Sequence, residues 1–289
     1  MADRVRLSDI SPDAFTTTAD RRALETLEKV PLLPIVLRKF ADLGLDRWYY
    51  CMNMSMSVRC GPRQYSTIYS ISKECCQVLD VPEPEIYISS NPFPNAFAGG
   101  VERPFVTLRS GIIDTLSDEQ LYHLIGHELG HIKSGHMLYH MTARLLVPLL
   151  QALGRRLPIV GDAAVIGLVF AFYEWMRQSE LSCDRAGLLV SQSLETSLTA
   201  NLNLTAGPNR FSHESNLDAF MEQARTYQDA SPLDQLGKVI LYFTMSYAFT
   251  HPMPVHRAQQ LEKWVNSGEF EKIIKGDYPK LTNPVRPGA

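Results

Sequence analysis

The sequence is poor in the features that mark several large classes of protein. Only five of its 289 residues are cysteine (Cys51, Cys60, Cys75, Cys76 and Cys183), an odd set with no pair of CxxC elements. That excludes a disulfide framework and a structural zinc site made of cysteines. Charge of one sign is not concentrated either: 28 Lys and Arg against 31 Asp and Glu leave a net −3. Without a basic stripe, no nucleic-acid partner is expected. Met1 to Arg6 lack the apolar core of a secretory signal, so the expected compartment is reducing and cytoplasmic.

Long hydrophobic runs are scarce. The one stretch of note, Leu157 to Met176, is about long enough to span a bilayer, with Arg155, Arg156 and Arg177 just outside it. It contains Asp162, Glu174, Gly161 and Gly167, in a chain of mean hydropathy −0.11. It therefore reads as a buried core helix. Membrane association or an oligomer contact through 157–176 is the alternative.

What is present is globular: 45% apolar and 20% charged residues, enough to bury a core unaided. Asp20 to Phe40 is helical in pattern but interrupted by Pro31 and Pro34. Trp48 to Arg59, with Met52, Met54 and Met56 in alternation, reads as a strand. Arg63 to Leu79 reads as a helix, and residues 85–109 as a small sheet of about three strands. Ser117 to Gln120 is a capping box that opens a long helix reaching about His136. Helical pattern continues to Ile274, so the fold class is mainly α, in the α+β sense.

The chemistry sits in that capped helix. Gly126-His127-Glu128-Leu129-Gly130-His131 contains HExxH, which places both imidazoles on one helical face, about 5–6 Å apart. Glu128, one step round, can reach a water on the ion rather than the ion itself. Zinc with neutral nitrogen ligands and one open position suits this spacing. The metzincin continuation is missing, because Ser134 and Met137 stand where its Gly and His would be. His136, about 140° round the helix from His131, is expected to face elsewhere as a structural residue. Glu180 and Asp184 sit four apart on a later helix. One can be the third ligand and the other a partner for a ligand imidazole, although a solvated helical face fits the spacing equally well.

HELGH, then Glu180-Leu181-Ser182-Cys183-Asp184, then His251-Pro252 with Arg257, resembles the zinc metallopeptidases that include HtpX and the CAAX prenyl proteases. Asn95-Ala96-Phe97-Ala98-Gly99-Gly100 resembles that family's short strand upstream of the metal helix, and the likeness covers about residues 65–265. It implies a gluzincin metalloprotease fold with the long HExxH helix beside the sheet. It further implies one zinc ion on His127, His131 and Glu180, Glu128 as general base, and Asp184 as a supporting carboxylate. His251 would donate to the oxyanion, Arg257 would pair with a carboxylate, and Asn95, Ala96, Phe97 and Ala98 would hold an extended substrate. The membrane members' hydrophobic helices before the metal motif are absent from residues 1–116, so the likeness is to the shorter bacterial-type members.

The expected organisation is a helical and extended brace or lid over 1–62, a metallopeptidase domain over 63–275, and a flexible tail over 276–289. The expected function is zinc-dependent hydrolysis of peptide bonds in unfolded or extended protein segments, as in protein quality control. A latent or non-catalytic scaffold that keeps the fold is the alternative, and a hydrolase of small amides or an aminopeptidase is a third reading. Two features carry less. His123, four residues before His127, is expected to pack against the 251–257 segment. Arg59-Cys60-Gly61-Pro62 resembles the cysteine-switch segment of matrix metalloproteinase propeptides, but a small buried cysteine is the simpler reading.

Overall fold

The computed structural model describes residues 4–29, 44–144, 160–228 and 253–282, together with Leu33 and Leu37. After a 3-10 turn at Pro12–Ala14, α1 (Thr18–Glu28) is capped by Thr17, whose side chain accepts from Asp20 N. Then come α2 (Leu45–Met56), β1 (Ser57–Arg59), α3 (Ser66–Leu79), β2 (Glu85–Ser89), β3 (Ala96–Gly99), β4 (Phe105–Arg109), α4 (Ser110–Thr115) and α5 (Asp118–Lys133). Residues 137–144 are helical. The chain continues with α6 (Val160–Ser191), α7 (Leu194–Ala206), α8 (Leu217–Gln228), α9 (Pro254–Asn266) and α10 (Glu269–Ile274).

The sheet is mixed and four-stranded, in the order β1-β2-β4-β3. β2 and β4 pair in parallel, with Glu85 opposite Phe105, while β1 and β3 pair antiparallel on the outside. The three strands expected over 85–109 are present, and β1 adds a fourth. The expected strand from Trp48 is corrected: the chain is helical as far as Met56. Unbranched Met side chains favour a helix, and the less exposed residues Tyr49, Met52 and Asn53 recur at three- and four-residue steps, leaving Trp48, Met54 and Met56 outside.

The main core lies between the sheet, α3, α5 and the second half of α6, with Ile71, Leu79, Val106, Leu108, Ile125, Leu129 and Leu189 almost fully buried. A second cluster joins Leu27, Leu33, Leu37 and Ala143 to Val169, Phe172, Trp175 and Met176. Val169, Phe172, Trp175 and Met176, near the end of the 157–176 stretch, are therefore interior, while Glu174 is exposed; residues 157–159 lie outside the described residues. Among the described residues, no helix is long and apolar enough to cross a membrane.

The first and last described stretches are anchored. Arg4 is buried and pairs with Glu74 and Glu119. Ser11 N donates to Pro279 O at 2.9 Å and Leu281 N to Asp9 O at 2.8 Å. Of the tail expected over 276–289, the stretch as far as Leu281 is hydrogen-bonded to the N-terminal segment, and residues 283–289 lie outside the described residues.

Candidate metal centre

α5 starts where its capping box demands. Ser117 Oγ accepts from Gln120 N at 3.3 Å, and Gln120 Oε1 accepts from Ser117 N at 3.1 Å. The helix then packs along α6 at a distance set by glycine. A Cβ on Gly126 would lie 2.6 Å from Val190 Cβ, and one on Gly130 would lie 2.7 Å from Ala186 Cβ. Either Cβ would force the two helices apart, so the close seam needs glycine at both positions. This close seam brings the HExxH face against Glu180 and Asp184.

His127 Nε2 lies 3.3 Å from one Glu180 oxygen, and His131 Nε2 lies 3.4 Å from the other. One ligand atom from each of the three residues falls within 4.8 Å of the others, and all three residues are buried. The two candidate ligand rings face each other edge-on with centroids 5.0 Å apart. Asp184 occupies the place expected for a supporting carboxylate: its Oδ1 is 3.0 Å from His127 Nδ1. Arg257, from the first turn of α9, holds that carboxylate with both Nε (2.8 Å to Oδ2) and Nη2. Burial alone would raise the Asp184 carboxyl, but Arg257 and His127 outweigh it and hold it well below the usual carboxylate range. Burial likewise opposes charge on His127, yet Asp184 and Glu180 push that imidazole up to about 10.

The expectation for His136 is corrected. The helix does not run on to it: Ser134 ends α5, and Gly135 turns the chain at φ +69°. His136 is swung back so that its Nδ1 lies 3.3 Å from His131 Nδ1. His140, a turn further on, meets the His131 ring edge-on with centroids 4.8 Å apart, and its Nε2 lies 3.0 Å from Ser179 Oγ. Asp20 of α1 reaches the same place: its Oδ2 accepts from Ser182 Oγ at 2.6 Å and faces His136 Nε2 at 3.6 Å. Sequence reading missed Asp20 and His140. The spacing of three histidines within ten residues, His131, His136 and His140, was the available signal.

β3 is the edge strand on the side of the metal helix, and among the described residues its outer edge pairs with no strand. Asn95 O accepts from Arg109 N at 2.9 Å. By antiparallel alternation, Asn95, Phe97 and Gly99 then point their backbone groups at β4, while Ala96 and Ala98 point theirs at the open edge. Two cavities flank the centre. The larger, about 300 Å³, is lined by Asn95, Ala96, His123, His127, Glu128, Glu180, Asn201, Leu204, Pro254 and Arg257, among others. The smaller is lined by Ala96, Phe97, Ala98, Glu128, His131, Met137, His140, Arg144 and Glu180. Glu128 and Glu180 border both.

His123 lines the larger cavity, as do Pro254 and Arg257, and burial pushes its imidazole down to about 4. His251 lies outside the described residues. Cys60 lines a separate cavity behind β1, next to Met54, Arg59 and Tyr87, and neither cavity at the metal centre. Burial pushes its thiol up to about 11, so it is a core residue rather than a free thiolate ligand.

The chain matches the sequence profile of peptidase family M48 over residues 62–265. An Arabidopsis thaliana protein named plastoglobule-localized metallopeptidase 48, chloroplastic, is 29% identical over 277 residues, 95% of this chain and 78% of that protein. A protease HtpX homolog of Thermodesulfovibrio yellowstonii is 38% identical over 78 residues, 26% of this chain and 28% of that protein. Another, from Arthrobacter sp., is 33% identical over 136 residues, 44% of this chain and 47% of that protein. The chain thus spans less than half the length of these HtpX homologs. No solved structure matches it significantly. With the profile covering most of its length, this chain belongs to peptidase family M48, among the HtpX-like metallopeptidases.

Proposed function

We propose that the protein is a zinc-dependent endopeptidase that cuts extended segments of unfolded protein. The observation that carries this reading is the convergence of His127, His131 and Glu180 on one point, beside a buried Glu128 and a strand edge left unpaired among the described residues. The donor set fits zinc: two imidazole nitrogens and one carboxylate leave the fourth position of a tetrahedron open. His127, His131 and Glu180 would hold one ion per chain. Bound there, it would supply the Lewis acidity that lowers the pKa of water from 15.7 to about 7.

The chain's own groups do the rest. Glu128 borders both cavities, so its carboxylate can take the proton of the attacking water and pass it to the leaving amine nitrogen. Ala96 and Ala98 offer outward backbone groups on which a peptide adds as a further strand. That mode selects extended substrate and passes over folded chains, as quality control requires. Arg257 holds Asp184, which orients His127. His251, just ahead of α9, is proposed as the donor to the oxyanion. The buried cysteines suit a reducing cytoplasm,. The name of the Arabidopsis relative puts that protein at plastoglobules, so a membrane-surface location is the alternative, tested by fractionation.

Metal content by mass spectrometry, with casein hydrolysis measured alongside, tests the reading on wild type, Glu180→Ala and Glu128→Gln. Wild type should hold about one zinc and hydrolyse casein. Glu180→Ala should lose both. Glu128→Gln should keep the metal and lose at least about 10²-fold in rate. Equal zinc in Glu180→Ala would remove Glu180 from the ligand set, and zinc without hydrolysis in wild type would favour a latent or scaffold protein.

A further inference from the structure

We infer that His136 is a positioning residue for the metal ligand His131, and that Asp20 of the N-terminal helix sets the tautomer in which it works. The inference rests on the zinc reading above.

A metal-binding imidazole directs one nitrogen to the ion and needs a partner for the N–H on the other. His131 turns its Nε2 to Glu180, so the open question is what receives its Nδ1–H. Among the described residues, the polar atom within hydrogen-bond reach of it is His136 Nδ1, at 3.3 Å. To accept, His136 must carry its own proton on Nε2. Two observations fix that tautomer. The Asp20 carboxylate faces Nε2 at 3.6 Å, longer than a hydrogen bond but close enough for its field to favour a proton there,. The thiol of Cys183, a second donor, also lies towards Nδ1, at 3.7 Å. Donors thus converge on Nδ1, and an anion faces Nε2.

The arrangement is rigid. His136 is 3% exposed, and its ring meets Trp175 edge-on with centroids 5.5 Å apart. Asp20 is fixed by the Ser182 hydroxyl, and Thr17 N donates to that same hydroxyl at 2.9 Å. The N-terminus of α1 is therefore stitched to α6 two residues beyond Glu180. Residue 20 lies outside the profile match over 62–265, so the N-terminal segment supplies support for the metal centre.

His131, His136 and Cys183 also present three ligand atoms within 4.8 Å of one another. A second ion there would need the same His131 nitrogen, and the experiment separates the two cases. Zinc affinity of the full chain is measured by chelator competition for wild type, His136→Phe, His136→Asn and Asp20→Ala. It is read with zinc stoichiometry, the visible spectrum of the cobalt-loaded protein and the melting temperature of the metal-free protein. Asn keeps an acceptor near the Nδ1 position, whereas Phe fills the space and removes it.

His136→Phe should lower zinc affinity about 10–100-fold and shift the cobalt bands. His136→Asn should stay within a few-fold of wild type, and Asp20→Ala should fall between them. Metal-free melting temperatures of the His136 variants should agree within about 3 °C. The proposal is overturned if His136→Phe binds zinc like wild type, or if His136→Asn is as weak as His136→Phe. It is also overturned if wild type takes up two ions per chain. A wild type that binds no zinc fails the metal reading itself, and the proposal falls with it.

Discussion

The two candidate ligand histidines sit one helical turn apart on α5, yet they are supported in opposite ways. His127 leans on Asp184, a carboxylate held by two guanidinium contacts from Arg257. His131 leans through its Nδ1 on a second imidazole, His136, and the carboxylate behind that imidazole is Asp20. A hydrogen bond to an ionised acceptor is roughly twice as strong as one between neutral groups, so the His127 arm is the stiffer. The arms also differ in origin. The first is built from α5, α6 and α9, inside the profile match, and the second reaches outside it to α1. Strong, local chemistry secures one ligand, and a long-range contact with a separate segment secures the other.

The sharpest way to break the comparison is Asp184→Ala. It leaves Arg257 and His127 facing each other in a buried site without their shared anion, and losing one partner of a buried charge pair costs about 3–5 kcal/mol. Denaturant titration of the metal-free variant should show that loss, and chelator competition a weaker zinc site. A loss below about 1 kcal/mol would mean that the first arm is no stiffer than the second.

The first arm was largely legible in the sequence, and the second was not. HExxH fixes its own geometry through the 3.6-residue turn, so short-range pattern placed His127 and His131. Glu180 and Asp184 repeat that spacing on α6, but a solvated face fitted it equally well, and the family resemblance chose them and Arg257. The small sheet and the capped start of α5 were legible from short-range pattern too, since alternation and a capping box are local signals. His136 was misread because it was projected along a continuing helix, whereas Gly135 takes positive φ and ends it. Asp20 could not be found: its partner Ser182 is 162 residues away, and no local pattern encodes such a pairing. The helix over Leu45–Met56 was missed because alternating methionines imitate a strand's period. The seam glycines Gly126 and Gly130 were in view, four apart on the motif itself, and their meaning appears only once α6 is laid against them.

The second arm predicts a pH signature of its own. Burial raises the Asp20 carboxyl from 3.8 to about 6. The folded chain therefore pays for the charged form above pH 6, and the penalty disappears as pH falls towards the unfolded value. At about 1.4 kcal/mol per pH unit the penalty is about 3 kcal/mol at its largest. Asp20→Asn should stabilise the metal-free protein at pH 8 by up to that amount, and the gain should shrink through pH 6 and be nearly gone at pH 4. A gain that is constant with pH would show that the carboxyl's charge is not its source.

A change that touches both arms together should cost somewhat less. In Gly130→Ala the new methyl meets Ala186 Cβ at 2.7 Å, and relief requires α5 and α6 to part by a few tenths of an ångström. Overpacking of this kind costs about 1–3 kcal/mol. Because the seam sets the distance from both imidazoles to Glu180, zinc affinity should fall along with stability. Retained affinity in a destabilised variant would mean that the ligands adjust independently of the helices carrying them.

The smallest effect is expected from Cys60→Ala, which lies on neither arm. Cys60 N donates to Ile86 O at 2.8 Å, a backbone contact that survives the substitution. The side chain lost is a buried thiol in the main core, so about 1 kcal/mol of stability should go. A thiol that closed the metal site until displaced would, once removed, raise basal casein hydrolysis well above wild type. A core thiol beside β1 leaves hydrolysis unchanged, as expected for a site whose ligand supports come from the helices around α5 rather than from the far edge of the sheet.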